Sequence, residues 1–191
     1  MTKKEKKEQG EYRILGVDPG TSVLGFAVIV VNGSKIRVIE MGVIHLSKFP
    51  SHNKRLQRIF ERLKQLIFTH QPREMAIEAP FYGKNPQSML KLGRAQGVAI
   101  AAAMTSALEV QEYAPRKIKQ AVTGNGNASK EQVAKMMGQE FRIDLSDQIL
   151  DATDALGAAV CHYYQTRNKV AGGKSYSGWE AFIKDNPNKV K

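Results

Sequence analysis

The chain has 191 residues, 42% hydrophobic and 25% charged, a balance that suits one soluble globular domain with a single substantial core. Its 29 Lys and Arg against 18 Asp and Glu leave a formal charge of +11, which points to a polyanionic partner: nucleic acid first, an anionic membrane second, plain solubility charge third. Cys161 is the only cysteine, which excludes an intrachain disulfide and a cysteine-based zinc site, and no apolar run approaches the ~18 residues that a membrane-spanning helix needs.

The start is rich in Lys and Glu, with no apolar stretch before Ile14, so a cytoplasmic protein is expected rather than one led by a secretory signal. The charge is not confined to the ends. Residues 1–10 and 171–191 each hold four lysines against two acids, so most of the surplus lies between them.

In chain order, residues 1–11 read as a disordered polar leader. Three β-rich runs follow at 12–18, 23–31 and 36–45, with Asn32-Gly33 marking a hairpin turn, so the three form an antiparallel meander. Residues 51–70 place Leu56, Ile59, Phe60, Leu63, Leu66 and Ile67 at helical spacing, and Pro72 closes that helix. Met75-Ala76-Ile77 is a short buried strand leading into Glu78.

After a loop to about Pro86, residues 87–108 form a helix rich in Gly and Ala, whose small side chains suit close packing on its own sheet or on a second subunit. Residues 110–113 are a short strand, and Pro115 opens a basic helix over 116–122. Ser129 caps the next helix, with Glu131 and Gln132 close behind, and Ser146 caps a last long helix ending near Thr166. Residues 171–178 read as a Gly/Ser linker, followed by a tail with the only tryptophan, Trp179. The domain division is therefore a leader at 1–11, one domain at 12–168, and a linker and tail at 169–191. The order β-β-β-α-β-α-β-α-α-α predicts an α/β protein with a mixed five-stranded sheet flanked by helices, the RNase H-like fold.

Four acids stand out. Asp18 and Glu78 each end an apolar strand, although Asp18 also suits a simple turn cap and Glu78 an ordinary surface position. Asp151 and Asp154 are three apart in the last helix, which puts both on one face beside Ala and Leu. Two like charges next to a buried ridge are tolerable where a divalent cation neutralises them. Oxygen ligands without cysteine select Mg²⁺, or Mn²⁺ in its place, over Zn²⁺. Two such ions about 3.5–4 Å apart suit in-line attack on a phosphodiester.

Lys119 and Lys130 bracket the Gly-Asn loop at 123–127, and Arg116, Lys117 and Lys135 add charge. They form either a solvated basic face or a rail for backbone phosphates. Phe81 and Tyr82, beside Lys84 in the loop after Glu78, either stack on unpaired bases or fold onto the core. His162, about three helical turns beyond Asp151, is either a support for the acids or a core histidine.

Five stretches resemble the motifs of RuvC, the bacterial Holliday junction resolvase family, in the right order. They are Ile14-Leu15-Gly16-Val17-Asp18-Pro19-Gly20-Thr21; Ala76-Ile77-Glu78 with Phe81 and Lys84-Asn85; the run from Leu90 to Ile100; the run from Lys119 to Gly124; and Asp151-Ala152-Thr153-Asp154-Ala155-Leu156. The resemblance extends from about Arg13 to His162 and leaves the leader and the tail without a role. Pro80 and Tyr82, flanking Phe81, depart from the family pattern.

The resemblance implies a homodimeric, metal-dependent endonuclease that resolves four-way DNA junctions by paired nicks, leaving 5′-phosphate and 3′-hydroxyl ends, in recombination and repair. It makes Asp18, Glu78, Asp151 and Asp154 the metal-binding acids. It sets Lys119 and Lys130 near the scissile phosphate, Phe81 on bases at the junction centre, and the small-residue helix at the dimer contact. It also implies work alongside a hexameric branch-migration motor and its junction-binding adaptor. The competing readings are a junction-binding protein that does not cut, a nuclease of this fold acting on another nucleic acid, and an actin-like phosphotransferase suggested by the Asp18-Pro19-Gly20-Thr21 turn alone.

Overall fold

The computed structural model describes residues 10–80, 85–143 and 150–170. Most of the expected leader, the loop residues Phe81, Tyr82 and Lys84, the Ser146 cap and the tail with Trp179 lie outside the described residues. Among the described residues, five strands form one sheet: β1 (Tyr12–Asp18), β2 (Val23–Asn32), β3 (Lys35–His45), β4 (Glu74–Glu78) and β5 (Glu109–Tyr113), in the order β3-β2-β1-β4-β5. The first three pair antiparallel, and β4 and β5 run parallel to β1. Parallel neighbours need a crossover, and the helices supply it. These are α1 (His52–His70), α2 (Pro86–Met104), α3 (Pro115–Thr123), α4 (Lys130–Phe141) and α5 (Leu150–Val170).

Side chains alternate between two cores, as the two-residue period of a strand requires. Leu15, Val17, Leu24, Phe26, Val28, Met75 and Ile77 face α1 and α2. Ile14, Ala27, Ile29, Val31 and Ala76 face α5, with α3 and α4 beside it. Because β1 is covered on both faces, its buried middle, Ile14 to Val17, reads as an unbroken apolar run.

α5 sits unusually close to the sheet. A Cβ placed on Gly16 would come within 2.1 Å of the Ala155 carbonyl oxygen, and one on Gly25 within 1.9 Å of the Asp151 carbonyl oxygen. Only residues without a side chain let the helix backbone lie there.

Several boundaries differ from the sequence expectation, most of them by a single residue. β2 runs on through Asn32, so the turn is Gly33-Ser34, one residue later. α2 stops at Met104, not at 108. The hydroxyls of Thr105 and Ser106 donate back to the carbonyls of Ala101 and Ala102, and Ala107 takes a left-handed φ of 57° that no helix continues through. α5 continues past Thr166 to Val170. The small residues of α2 divide between two faces. Ala95, Ala99, Ala102 and Ala103 are buried against the molecule's own core, whereas Gly93, Gly97 and Ala101 point outwards with Leu90 and Met104, 65% and 66% exposed.

The contact at Gly25 is testable. Gly25→Ala drives a methyl group into a backbone carbonyl that cannot swing aside, and we expect a loss of about 1–3 kcal/mol in urea-unfolding free energy, the usual range for overpacking. Unchanged stability would show that α5 is free to move away.

Candidate active site

β1 ends at Asp18 and its parallel neighbour β4 ends at Glu78, so two adjacent strands each carry a carboxylate at the same edge of the sheet. The contact of α5 with Gly25 sets the first turn of that helix at this edge. As a result, one carboxylate oxygen each from Asp18, Asp151 and Asp154 lie within 4.8 Å of one another, all half-buried. Glu78 joins them electrostatically, since its charge bears on Asp18 and that of Asp154 bears on it. Residues some 60 and 70 positions apart in the chain thus converge, as the sequence pattern predicts.

The cluster is under strain of charge. Burial, then the charges of Glu78, Asp154 and Asp151, push the Asp18 carboxyl up to about 8, against the pull of Lys130. Burial and Asp154 push Glu78 up to about 7, opposed by Lys130 and Lys119. Four carboxyl groups in this space do not all ionise near neutral pH unless a cation joins them. The donors are hard carboxylate oxygens, so the site fits a hard divalent cation.

Lys130 answers part of that charge. It is the first residue of α4, whose start is fixed by a capping box. Ser129 accepts from the Gln132 backbone N–H, and the Gln132 side chain accepts from that of Ser129. From there Lys130 Nζ reaches Asp154 Oδ2 at 2.6 Å. Burial works against its positive charge, but the hydrogen bond to Asp154 and the nearby acids prevail and raise its pKa.

Lys119 projects half-buried from α3 near enough to influence Glu78. Arg116, on the same helix, is exposed and runs alongside Gly126, where an added Cβ would meet its Cγ at 2.8 Å. It therefore borders the 123–127 loop rather than the acids. Phe81, Tyr82 and Lys84 lie outside the described residues.

Two supporting side chains lacked a decisive signal in the sequence. Arg55 donates from Nη1 to the Thr21 carbonyl at 3.1 Å and from Nε to the Phe49 carbonyl at 3.3 Å, tying the turn after Asp18 to the start of α1. In sequence it is one more basic residue on a helix with several. His162 is buried, and its ring nitrogens meet Tyr113 and Glu74 rather than any of the four acids.

A sequence profile of the family described as crossover junction endodeoxyribonuclease RuvC matches residues 14–162. Over 191 residues the chain is 56% identical to a protein of that name from Cytophaga hutchinsonii, covering 100% of this chain and 94% of the relative. The solved structure of Thermus thermophilus RuvC in complex with a Holliday junction substrate superposes with a TM-score of 0.77 at 30% identity, covering 83% of this chain and 96% of that one. The yeast mitochondrial Holliday junction resolvase, at 13% identity and a TM-score of 0.62, shares the fold. With these neighbours, the mixed sheet and its flanking helices are the RNase H-like resolvase fold.

The raised carboxyl pKa values set a sign for stability. Asp18 and Glu78 hold protons in the folded state at pH values where the unfolded chain has released them, so stability falls as pH rises from about 4 to about 8. In metal-free protein the melting temperature should fall across that window, and millimolar Mg²⁺ should raise it most at the alkaline end. A flat profile, with or without Mg²⁺, would remove the charge crowding inferred here.

Proposed function

The chain belongs to the RuvC family of crossover junction endodeoxyribonucleases, and from that premise we propose that it resolves four-way DNA junctions at Asp18, Glu78, Asp151 and Asp154. The observation that carries the reading is the convergence of three carboxylates within 4.8 Å, with Glu78 coupled to them, on a chain of net charge +11. A cluster of acids repels DNA; it becomes a phosphate site only when cations bind there. The four acids are proposed to hold two Mg²⁺ ions, with Mn²⁺ able to substitute. Bound there, such ions supply positive charge where negative charge develops during in-line hydrolysis of a phosphodiester.

The chain's own groups do the rest. The strand ends hold Asp18 and Glu78 at fixed depth, and α5 presents Asp151 and Asp154 opposite them. Lys130, paired with Asp154, and Lys119, close to Glu78, lie where a scissile phosphate would approach, with Arg116 further out along the same flank. Phe81, Tyr82 and Lys84 follow Glu78 in sequence, and their proposed role is to hold the unpaired centre of the junction. Paired nicks need two sites facing one substrate, so a homodimer is part of the reading. The outward face of α2, with Leu90, Gly93, Gly97, Ala101 and Met104 around an exposed Arg94, is largely of small and apolar side chains and suited to it. The junction-bound relative supports the choice of substrate. A cytoplasmic setting and cooperation with a branch-migration motor and its adaptor complete the proposal.

A synthetic four-way junction tests it. Wild-type protein should nick opposing strands with Mg²⁺ and not with EDTA. Asp18→Asn should lower the single-turnover rate at least 1,000-fold, on the order seen when an essential catalytic group is lost, while leaving junction affinity in EDTA within about threefold. Tight binding without nicks in the wild type would favour a module that binds and does not cut. The dimer has its own test. Leu90→Glu with Met104→Glu should yield a monomer by light scattering, and an unchanged mass would move the interface elsewhere.

A further inference from the structure

We propose that His162 is a positioning residue that sets the axial register of α5, and with it the placement of Asp151 and Asp154 against Glu78. The inference rests on the metal-site reading above and deepens it.

The contact between α5 and the sheet is smooth. Gly16 and Gly25 on the strands meet a helix face built from Ala152, Ala155, Ala158 and Ala159. Such a surface fixes how closely the helix lies, but apolar burial is non-directional and opposes sliding only weakly. Sliding matters, because one residue of helix advances 1.5 Å and metal coordination tolerates only about 0.2 Å. Something directional has to hold the axis.

Besides Tyr163, whose hydroxyl donates to the Ser34 carbonyl at 3.1 Å in the turn between β2 and β3, His162 is the group placed to do so towards β4. It is 6% exposed and lies eight residues beyond Asp154, about 12 Å along the helix at 1.5 Å per residue. One ring nitrogen, Nδ1, lies 2.8 Å from the Tyr113 hydroxyl, and the other, Nε2, meets the Glu74 carboxylate. A neutral ring satisfies both at once, donating from Nε2 to Glu74 and accepting at Nδ1 from Tyr113. Arg73 holds the other Glu74 oxygen at 3.1 Å, so this carboxylate is itself braced.

The two partners lie on adjacent strands, Glu74 on β4 and Tyr113 on β5. Glu74 begins β4, and Glu78 ends it. Tyr113 pairs in register with Glu78, and its carbonyl accepts from the Ala79 backbone N–H at 2.9 Å. Through one imidazole, the helix bearing Asp151 and Asp154 is therefore fastened to the start of the strand bearing Glu78 and to the β5 residue that pairs with Glu78. Both bonds are directional, the one to Tyr113 buried and the one to Glu74 part-buried, and each loses its geometry if α5 slips.

The test compares His162→Leu with His162→Gln, whose amide keeps a donor and an acceptor side by side. The readouts are the Mg²⁺ concentration at half-maximal single-turnover nicking, Mn²⁺ binding to the protein without DNA by electron paramagnetic resonance, and junction affinity in EDTA. A merely structural loss lowers melting temperature and the active fraction, but it leaves the Mg²⁺ midpoint of the surviving molecules where it was. Positioning predicts a midpoint at least fivefold higher in His162→Leu, Mn²⁺ affinity weakened by a similar factor, junction affinity within twofold, and a midpoint restored to within twofold in His162→Gln. If His162→Leu does not fold, Tyr113→Phe removes a single hydroxyl, and a rise of twofold or more is expected. A midpoint unmoved in the folded variants, with wild type binding Mn²⁺ and nicking normally, overturns this proposal alone. Wild type that neither binds Mn²⁺ nor nicks overturns the metal reading and this proposal with it.

Discussion

The backbone contact of α5 with Gly16 and Gly25 is the constraint on which the site depends. Asp18 ends a strand that would, without the helix, present one carboxylate to water. Because the Asp151 carbonyl sits where a Cβ on Gly25 would be, the first turn of α5 is carried to the end of β1 and cannot stand off. A single methyl group on either glycine would lift the helix. The acids would then separate, and the shared oxygen pocket would become three independent surface charges. The smallest residues in the sheet thus decide whether the largest charges in the molecule meet.

Bringing them together works against folding. Buried like charges drive protons back onto Asp18 and Glu78, and Lys130 offsets only part of the repulsion through its pair with Asp154. The capping box at Ser129 serves this arrangement, because it fixes the helix start from which Lys130 reaches across. An acidic pocket set in a strongly basic chain is a poor way to stabilise a fold, and it makes physical sense as a place where a cation and a polyanion meet.

Much of this was legible in the sequence. Asp18 and Glu78 were marked by position, each closing an apolar strand, and Asp151 and Asp154 by their i, i+3 spacing on a helix otherwise lined with Ala and Leu. Helix ends announced by a side chain, at Pro72 and Ser129, fall where expected, and Ser51, expected as the first helical residue, is the cap just before it. The misplaced ends have other causes. α2 stops early because Thr105 and Ser106 compete for its last carbonyls, and neither residue type forces that outcome. Nothing local distinguishes Gly16 and Gly25, which are needed for a neighbour more than a hundred residues away, from glycines such as Gly93 and Gly97 that meet open space. Arg55 acts on the Thr21 carbonyl from across the fold, and the partners of His162 lie 49 and 88 positions away. Local patterns give the ends of elements and the chemistry at them; tertiary close approach and long-range hydrogen bonds leave no periodic trace.

The two helical acids do not stand in equal surroundings. Asp151 lies in the first turn of α5, where the helix dipole favours a negative charge, while Asp154 lies almost a full turn further in, where that support fades. It is Asp154, the one less helped by the helix, that Lys130 pairs with. The two charges are thus held by different means, Asp151 by backbone that cannot move and Asp154 by a flexible side chain that is more than half exposed. Only the second can be released without disturbing the fold. On the proposed reading, Lys130 would leave Asp154 as another cation arrives and stay beside the site to meet an incoming phosphate. The proposed arrangement thus separates a rigid part, the strand ends and the helix register, from an exchangeable one, a single ion pair on a largely exposed lysine.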